Sequence, residues 1–232
     1  SLSDALGLKA FALFRNYRMA LFFIFSMFLG VCLQITNGFA NPFITSFQNI
    51  DAFKDTFGVQ HANILISLSQ MSETLCILLI PFFLKRFGIK RVMLLAMLAW
   101  VLRYLFFAVG DPGSGVVWFV LSMIVYGVAF DFFNISGSLF VDKETSLDIR
   151  NSAQGLFMMM TNGLGASIGT LSAQMVIDRY VNSLGANADP MAVWHGWNTC
   201  WYIFAGYALV VAVAFAIMFR YKHEPEAVKP VK

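Results

Sequence analysis

The stretch Val116-Val-Trp-Phe-Val-Leu-Ser-Met-Ile-Val-Tyr-Gly-Val-Ala-Phe-Asp-Phe-Phe-Asn-Ile-Ser-Gly-Ser-Leu-Phe-Val141 decides how this chain folds. Its single charged side chain is Asp131. As a helix rising ~1.5 Å per residue it is about 40 Å long, more than the ~30 Å hydrocarbon core of a bilayer. A charge at that depth costs ~2.5–3.5 kcal/mol on insertion scales, so its presence points to an internal polar site.

The same pattern recurs on either side. Glu73 lies between His61 and Leu84 as the lone acidic group of another apolar run. Apolar runs of crossing length fall at 19–46, 61–84, 90–109, 116–141, 152–178 and 197–220. Composition agrees: 59% of residues are hydrophobic, 12% are charged and the mean hydropathy is +0.70. A soluble domain carries about a quarter charged residues. The fold class expected is therefore an all-α integral membrane protein with six transmembrane helices, leaving no room for a soluble enzyme domain.

Charge sets the orientation. Of 16 Lys and Arg, only Lys54 and Arg179 fall on one side of the runs, and Arg103 falls within the third. The rest gather before the first run, in the 85–91 and 142–151 loops, and after the last. Positive residues stay cytoplasmic, so both termini are expected in the cytoplasm. Residues 1–17 read as a cytoplasmic linker, with an amphipathic surface helix over Ser1 to Phe14. Residues 18–222 form the bundle and 223–232 a cytoplasmic tail. The net charge of +3 is then a topology signal and not a nucleic-acid footprint. Trp118, Trp194, Trp197, Trp201 and Tyr202 are expected as an aromatic belt at the outer interface. Cys32, Cys76 and Cys200 lie inside apolar runs with neither metal spacing nor a disulfide framework. The Gly165/Gly169 pair in the fifth run reads as close helix packing.

Polar residues recur at one depth in three runs. Gln34 and Asn37 lie midway along the first, Gln70 and Glu73 midway along the second, and Tyr126 and Asp131 around the middle of the fourth. Residues three or four apart share a helix face, which pairs Gln34 with Asn37, Gln70 with Glu73, and Tyr126 with Phe130. Amides offer donors and acceptors that suit sugar hydroxyls or a nucleobase edge. Tyr126 and Phe130 offer faces for ring stacking. Glu73 and Asp131 can exchange protons. Arg103, in the outer half of the third run, is expected to snorkel to the outer interface, pairing with a neighbouring carboxylate being the alternative. An intramembrane aspartyl protease would need a Gly-x-Gly-Asp setting, which neither carboxylate has.

These residues carry a resemblance. The blocks Leu33-Gln-Ile-Thr-Asn37, Ser69-Gln-Met-Ser-Glu-Thr74, Val125-Tyr-Gly-Val-Ala-Phe-Asp-Phe-Phe-Asn-Ile-Ser-Gly137 and Ser152-Ala-Gln-Gly-Leu-Phe-Met-Met-Met-Thr-Asn-Gly163 resemble the C-terminal half of bacterial NupG-type nucleoside:proton symporters of the major facilitator superfamily. The loop Lys85-Arg-Phe-Gly-Ile-Lys-Arg91 is similar to that superfamily's signature, with Lys85 and Pro81 where it has Asp and Gly. The resemblance implies two inverted three-helix repeats, with runs 1, 2, 4 and 5 lining a central cavity and runs 3 and 6, with Arg103, outside it. It implies that Gln34, Asn37, Gln70 and Glu73 contact a nucleoside, that Tyr126 and Phe130 pack against it, and that Asp131, with Glu73, couples protons. It implies the proton as coupling ion, with no other cofactor and no metal.

The expected setting is the bacterial inner membrane. The expected partners are a nucleoside, the lipid bilayer and an N-terminal six-helix half. Without that half, self-association through the polar face and no transport are expected. A membrane module for binding or assembly, or a transporter of another small polar solute, are the other readings.

Overall fold

The structure, a computed structural model, describes Leu2 and residues 7–223, and all its regular secondary structure is helical. Among the described residues of this segment, Leu8–Arg15 form a 3-10 helix, more tightly wound than the surface helix expected over Ser1 to Phe14. Ser1, Ser3 to Leu6 and the tail beyond His223 lie outside the described residues.

Helix α1 spans Tyr17–Ser46. Its start is set by Asn16, whose side-chain oxygen accepts from the Arg18 and Met19 backbone N–H groups at 3.0 and 3.3 Å, as an N-cap should. Ala62–Val109 follows as a nominally continuous helix of 48 residues. At ~1.5 Å per residue that is about 70 Å, more than twice a hydrocarbon core. It breaks at Gly88, whose φ of 81° and ψ of 171° are open only to glycine. The break divides it into α2 (62–87) and α3 (89–109), at the basic loop where the charge pattern places a cytoplasmic turn.

The Gly110-to-Gly115 breaker turn is held by Asp111, whose Oδ1 accepts from the Gly113 and Gly115 N–H groups at 2.8 and 3.0 Å. Helix α4 (Val116–Glu144) contains a π-helical segment at Val128–Phe132. Helix α5 (150–180) contains another at Met159–Gly165. Helix α6 is Pro190–Met218, capped by Asp189 with proline in its first turn. Among the described residues, four helices are long and apolar enough to cross a membrane: Tyr17–Asn49, the long Ala62–Val109, Val116–Glu144 and Pro190–Met218.

The helices pair through small residues. Gly30 of α1 lies directly on the Thr161 backbone of α5, where a Cβ would collide with the Thr161 carbonyl. A Cβ at Gly165 would come 2.5 Å from Met27 O, and one at Gly169 2.9 Å from the Val31 Cα. The Gly165/Gly169 pair thus packs α5 onto α1. Across the bundle, Ser72 of α2 donates to Ile124 O of α4 and accepts from the Gly127 N–H at 3.2 Å.

Two aromatic clusters close the ends. At one, Phe22 lies 4.8–6.2 Å from the rings of Phe133, Phe140 and Phe157. At the other, Phe43 lies 5.3–5.7 Å from Phe47, Phe107, Phe119, Trp197 and Trp201. Helices in lipid gain little from hydrophobic burial against one another, so such contacts and interhelical hydrogen bonds carry their association. Trp197 and Trp201, expected in an interfacial belt, are buried at 5% and 0% exposure. They stack into the Phe43 and Phe107 cluster because α6 turns that face inward. Trp118 and Tyr202 remain exposed.

Candidate functional site

The site is assembled where α2, α3 and α4 meet α1. Asp131 lies inside the π segment of α4 and is buried, with 6% exposure. Its Oδ2 has no hydrogen-bond partner among the described residues. Such single-turn π segments inside α-helices are frequent at functional sites. Glu73, half-buried on α2, lies within electrostatic range of Asp131 and of Tyr126. The Ser72 crossing brings the two carboxylates together, since Ser72 adjoins Glu73 and its partner Gly127 lies one helical turn before Asp131.

Tyr126 and Phe130 stack, with ring planes 8° apart and centroids 5.8 Å apart. Trp100 of α3 meets Tyr126 edge-on at 5.9 Å. Phe130 also lines a cavity of about 20 Å³ with Leu33, Trp100, Asn134 and Thr161, a volume that fits about one water.

The amides are less gathered. Gln34 is half-buried beside Gly169 at the α1–α5 crossing, where a glycine Cβ would lie 3.1 Å from Gln34 Cβ. Asn37 and Gln70 are exposed on the open faces of α1 and α2. The structure therefore groups Glu73, Tyr126, Phe130 and Asp131, and leaves Gln34, Asn37 and Gln70 around an open rim.

Arg103 is the main correction. It does not snorkel and is not peripheral: its exposure is 2%. Its Nε donates to Thr36 Oγ1 at 2.7 Å and its Nη1 to Ser122 O at 2.7 Å. Its guanidinium lies 4.8 Å from the Tyr126 ring centroid and 4.9 Å from that of Phe107. Among the described residues no ion pair joins it to a carboxylate, so carbonyl, hydroxyl and ring faces balance the charge. The third helix turns this face inward, with Trp100, Tyr104 and Phe107 also buried. Tyr104 donates to Cys32 O at 2.6 Å. Linear spacing from the helix end suggests snorkelling. Only the inward rotation of α3 reveals the buried role.

Two further features escape sequence reasoning. One is the exposed polar face of α5, with Asn162, Ser167, Thr170 and Gln174. Their mixture with Gly, Met and Leu blurs the helical period. The other is the Asn41–Asn63 hydrogen bond, 2.9 Å between α1 and α2.

A family model described as "Nucleoside H+ symporter" matches residues 1–224. The chain is 54% identical over 230 residues to the xanthosine permease of Escherichia coli (strain K12), covering 99% of this chain and 53% of that protein. It is 56% identical over 224 residues to the nucleoside permease NupG of the same organism, covering 96% and 51%. The crystal structure of nucleoside transporter NupG superposes with a TM-score of 0.83 at 56% identity, over 96% of this chain and 53% of that one. The chain spans about half the length of the curated relatives it matches. With a family match over nearly all its length and a helical bundle of the same shape, the chain belongs to the nucleoside H+ symporter family.

Proposed function

We propose that this chain forms one half of a proton-coupled nucleoside transporter of the bacterial inner membrane, working by alternating access. The observation that carries the reading is Asp131: a buried carboxylate with an unpartnered oxygen, beside a second carboxylate, at the middle of a membrane helix. An uncompensated buried charge costs well over ~1–3 kcal/mol, a penalty that protonation removes. A carboxylate so placed suits proton carriage. The relatives are permeases, which favours transport over an enzymatic role.

In this reading α1–α3 and α4–α6 are two inverted repeats of a major facilitator half, the C-terminal one, with both ends cytoplasmic. Gln34, Asn37, Gln70 and Glu73 contact the nucleoside through ribose hydroxyls and base edges. Tyr126 and Phe130 pack against its rings. Asp131 takes the coupling proton and Glu73 shares substrate contact with proton binding. The polar side of α5 completes the wall that faces the other half. By itself this half would not transport, and its uncovered polar face would favour self-association.

The test is proton-driven nucleoside accumulation by the full-length transporter carrying Glu73→Gln or Asp131→Asn. Loss of accumulation with exchange retained assigns a residue to coupling. Loss of binding as well assigns it to recognition. Unchanged accumulation in both variants sinks the reading.

A further inference from the structure

Arg103 is a full charge enclosed by three helices. Its guanidinium reaches Thr36 of α1 and the Ser122 carbonyl of α4 while standing on α3. Ser122 in turn donates its hydroxyl to Arg103 O at 3.1 Å, so backbone and side chain of the same residue are both engaged. One ring face of Tyr126 is covered at 4.8 Å. At 2% exposure, the loss of one partner would leave a buried cationic donor unsatisfied, which is costly.

Its reach is selective. Thr36 is adjacent to Asn37 and two positions from Gln34, and Tyr126 is stacked with Phe130. One side chain that faces none of the open rim thus holds both the amide-bearing turn of α1 and the aromatic pair of α4.

Building on the transport reading above, we infer that Arg103 is a positioning residue for recognition of the nucleoside. It holds the Tyr126 ring plane and the Thr36 turn in one arrangement, and so sets substrate affinity without touching substrate. A planar guanidinium suits this task, since it donates along fixed directions in its plane and stacks through its faces. A lysine ammonium in the same place keeps the charge and loses the fork.

The test pairs two readouts. Arg103→Lys is the informative variant, because Arg103→Ala leaves a cavity and two orphaned acceptors and can fail by misfolding. Fluorotyrosine at position 126 of the full-length transporter reports the ring by fluorine NMR with no substrate present. Arg103→Lys is expected to shift or broaden that resonance. In uptake it is expected to raise KM for nucleoside roughly tenfold while the maximal rate stays within about twofold. Thr36→Val, which removes one acceptor, is expected to move both readouts in the same direction by less. An unmoved resonance in Arg103→Lys overturns the ring-holding step. A moved resonance with unchanged KM, or a fall in maximal rate alone, overturns the link to recognition. If the unsubstituted transporter takes up no nucleoside, the transport reading fails and the recognition role falls with it, whereas the fluorine spectrum still judges the Arg103–Tyr126 contact by itself.

Discussion

Tyr126 and Phe130, one turn apart on α4, lie nearly parallel, with 8° between their planes. Trp100 meets the edge of the pair and Arg103 covers the Tyr126 face. The pair is thus held by α3 and stays partly exposed, and Phe130 borders a small cavity together with Trp100. Two nearly parallel rings present a face that suits a flat ring, and Tyr126 lies within electrostatic range of both Glu73 and Asp131.

The partial exposure of that pair predicts separate effects for its two members. In the full-length transporter, Phe130→Ala removes a stacking face and is expected to weaken nucleoside binding about two- to tenfold, an aromatic contact being worth about 0.5–1.5 kcal/mol. Tyr126→Phe keeps both ring contacts and should leave thermal stability within a degree or two, on the scale of a change under ~0.5 kcal/mol. Equilibrium binding of labelled nucleoside and melting in detergent check the two halves of this statement.

The α1–α5 crossing has no room for side chains. Gly30→Val and Gly165→Val are each expected to destabilise by about 1–3 kcal/mol or more, because the obstacle is backbone and cannot rotate away. Gly155 and Gly206 have open space where a methyl would stand, so Gly→Ala there should be neutral or stabilising by up to ~1 kcal/mol through helix propensity. Melting temperatures of the four variants measure the contrast, and equal losses would refute the crossing.

Gly88 joins α2 to α3 at φ 81° and ψ 171°. A side chain in that region costs about 1–3 kcal/mol, and here it would also meet the His223 ring at 2.6 Å. Gly88→Ala is expected to lower the melting temperature by several degrees, whereas Gly185→Ala, at φ 86° in open space, should incur the backbone strain alone. A smaller loss at Gly88 than at Gly185 would contradict the packing of His223 over this turn.

Ser72 joins α2 to α4 next to Glu73 by donating to Ile124 O and accepting from Gly127 N–H. Ser72→Ala is expected to cost only about 0.6 kcal/mol, the usual worth of an interhelical hydrogen bond in a membrane protein. Gly127→Ala is expected to cost more, since its Cβ would run into the Ser72 backbone and push the two carboxylate helices apart. Under the proposed transport role, proton-driven accumulation by the full-length transporter should therefore fall more in Gly127→Ala than in Ser72→Ala. The reverse order would show that the hydrogen bond, and not the close approach, sets the spacing.

Much of the fold is legible in the sequence because lipid imposes a simple rule. A backbone in hydrocarbon must satisfy its own hydrogen bonds, so each long apolar run has to be helical. The runs around Asp131 and Glu73 are indeed helical, and the basic loop at 85–91 contains the break at Gly88. The Tyr126 and Phe130 stack follows from a spacing of four. The burial of Trp197 and Trp201 does not follow, because tryptophan near a run's end suits an interface and a core equally. The π segments in α4 and α5 are also hidden, since one extra residue in a turn leaves no mark on an apolar stretch.

By itself the sequence determined that this is a helical membrane protein with two costly carboxylates and a lopsided distribution of positive charge, because length, hydropathy and charge are properties of the chain read locally. Only the tertiary structure decided how each helix is rotated about its axis. That rotation places Gly30 on Thr161, brings Glu73 within electrostatic range of Asp131, and turns Arg103 from an expected interface residue into the buried link between Thr36 and Tyr126. Rotation is set by the fit of small residues and hydrogen bonds between helices distant in sequence, which no single run contains.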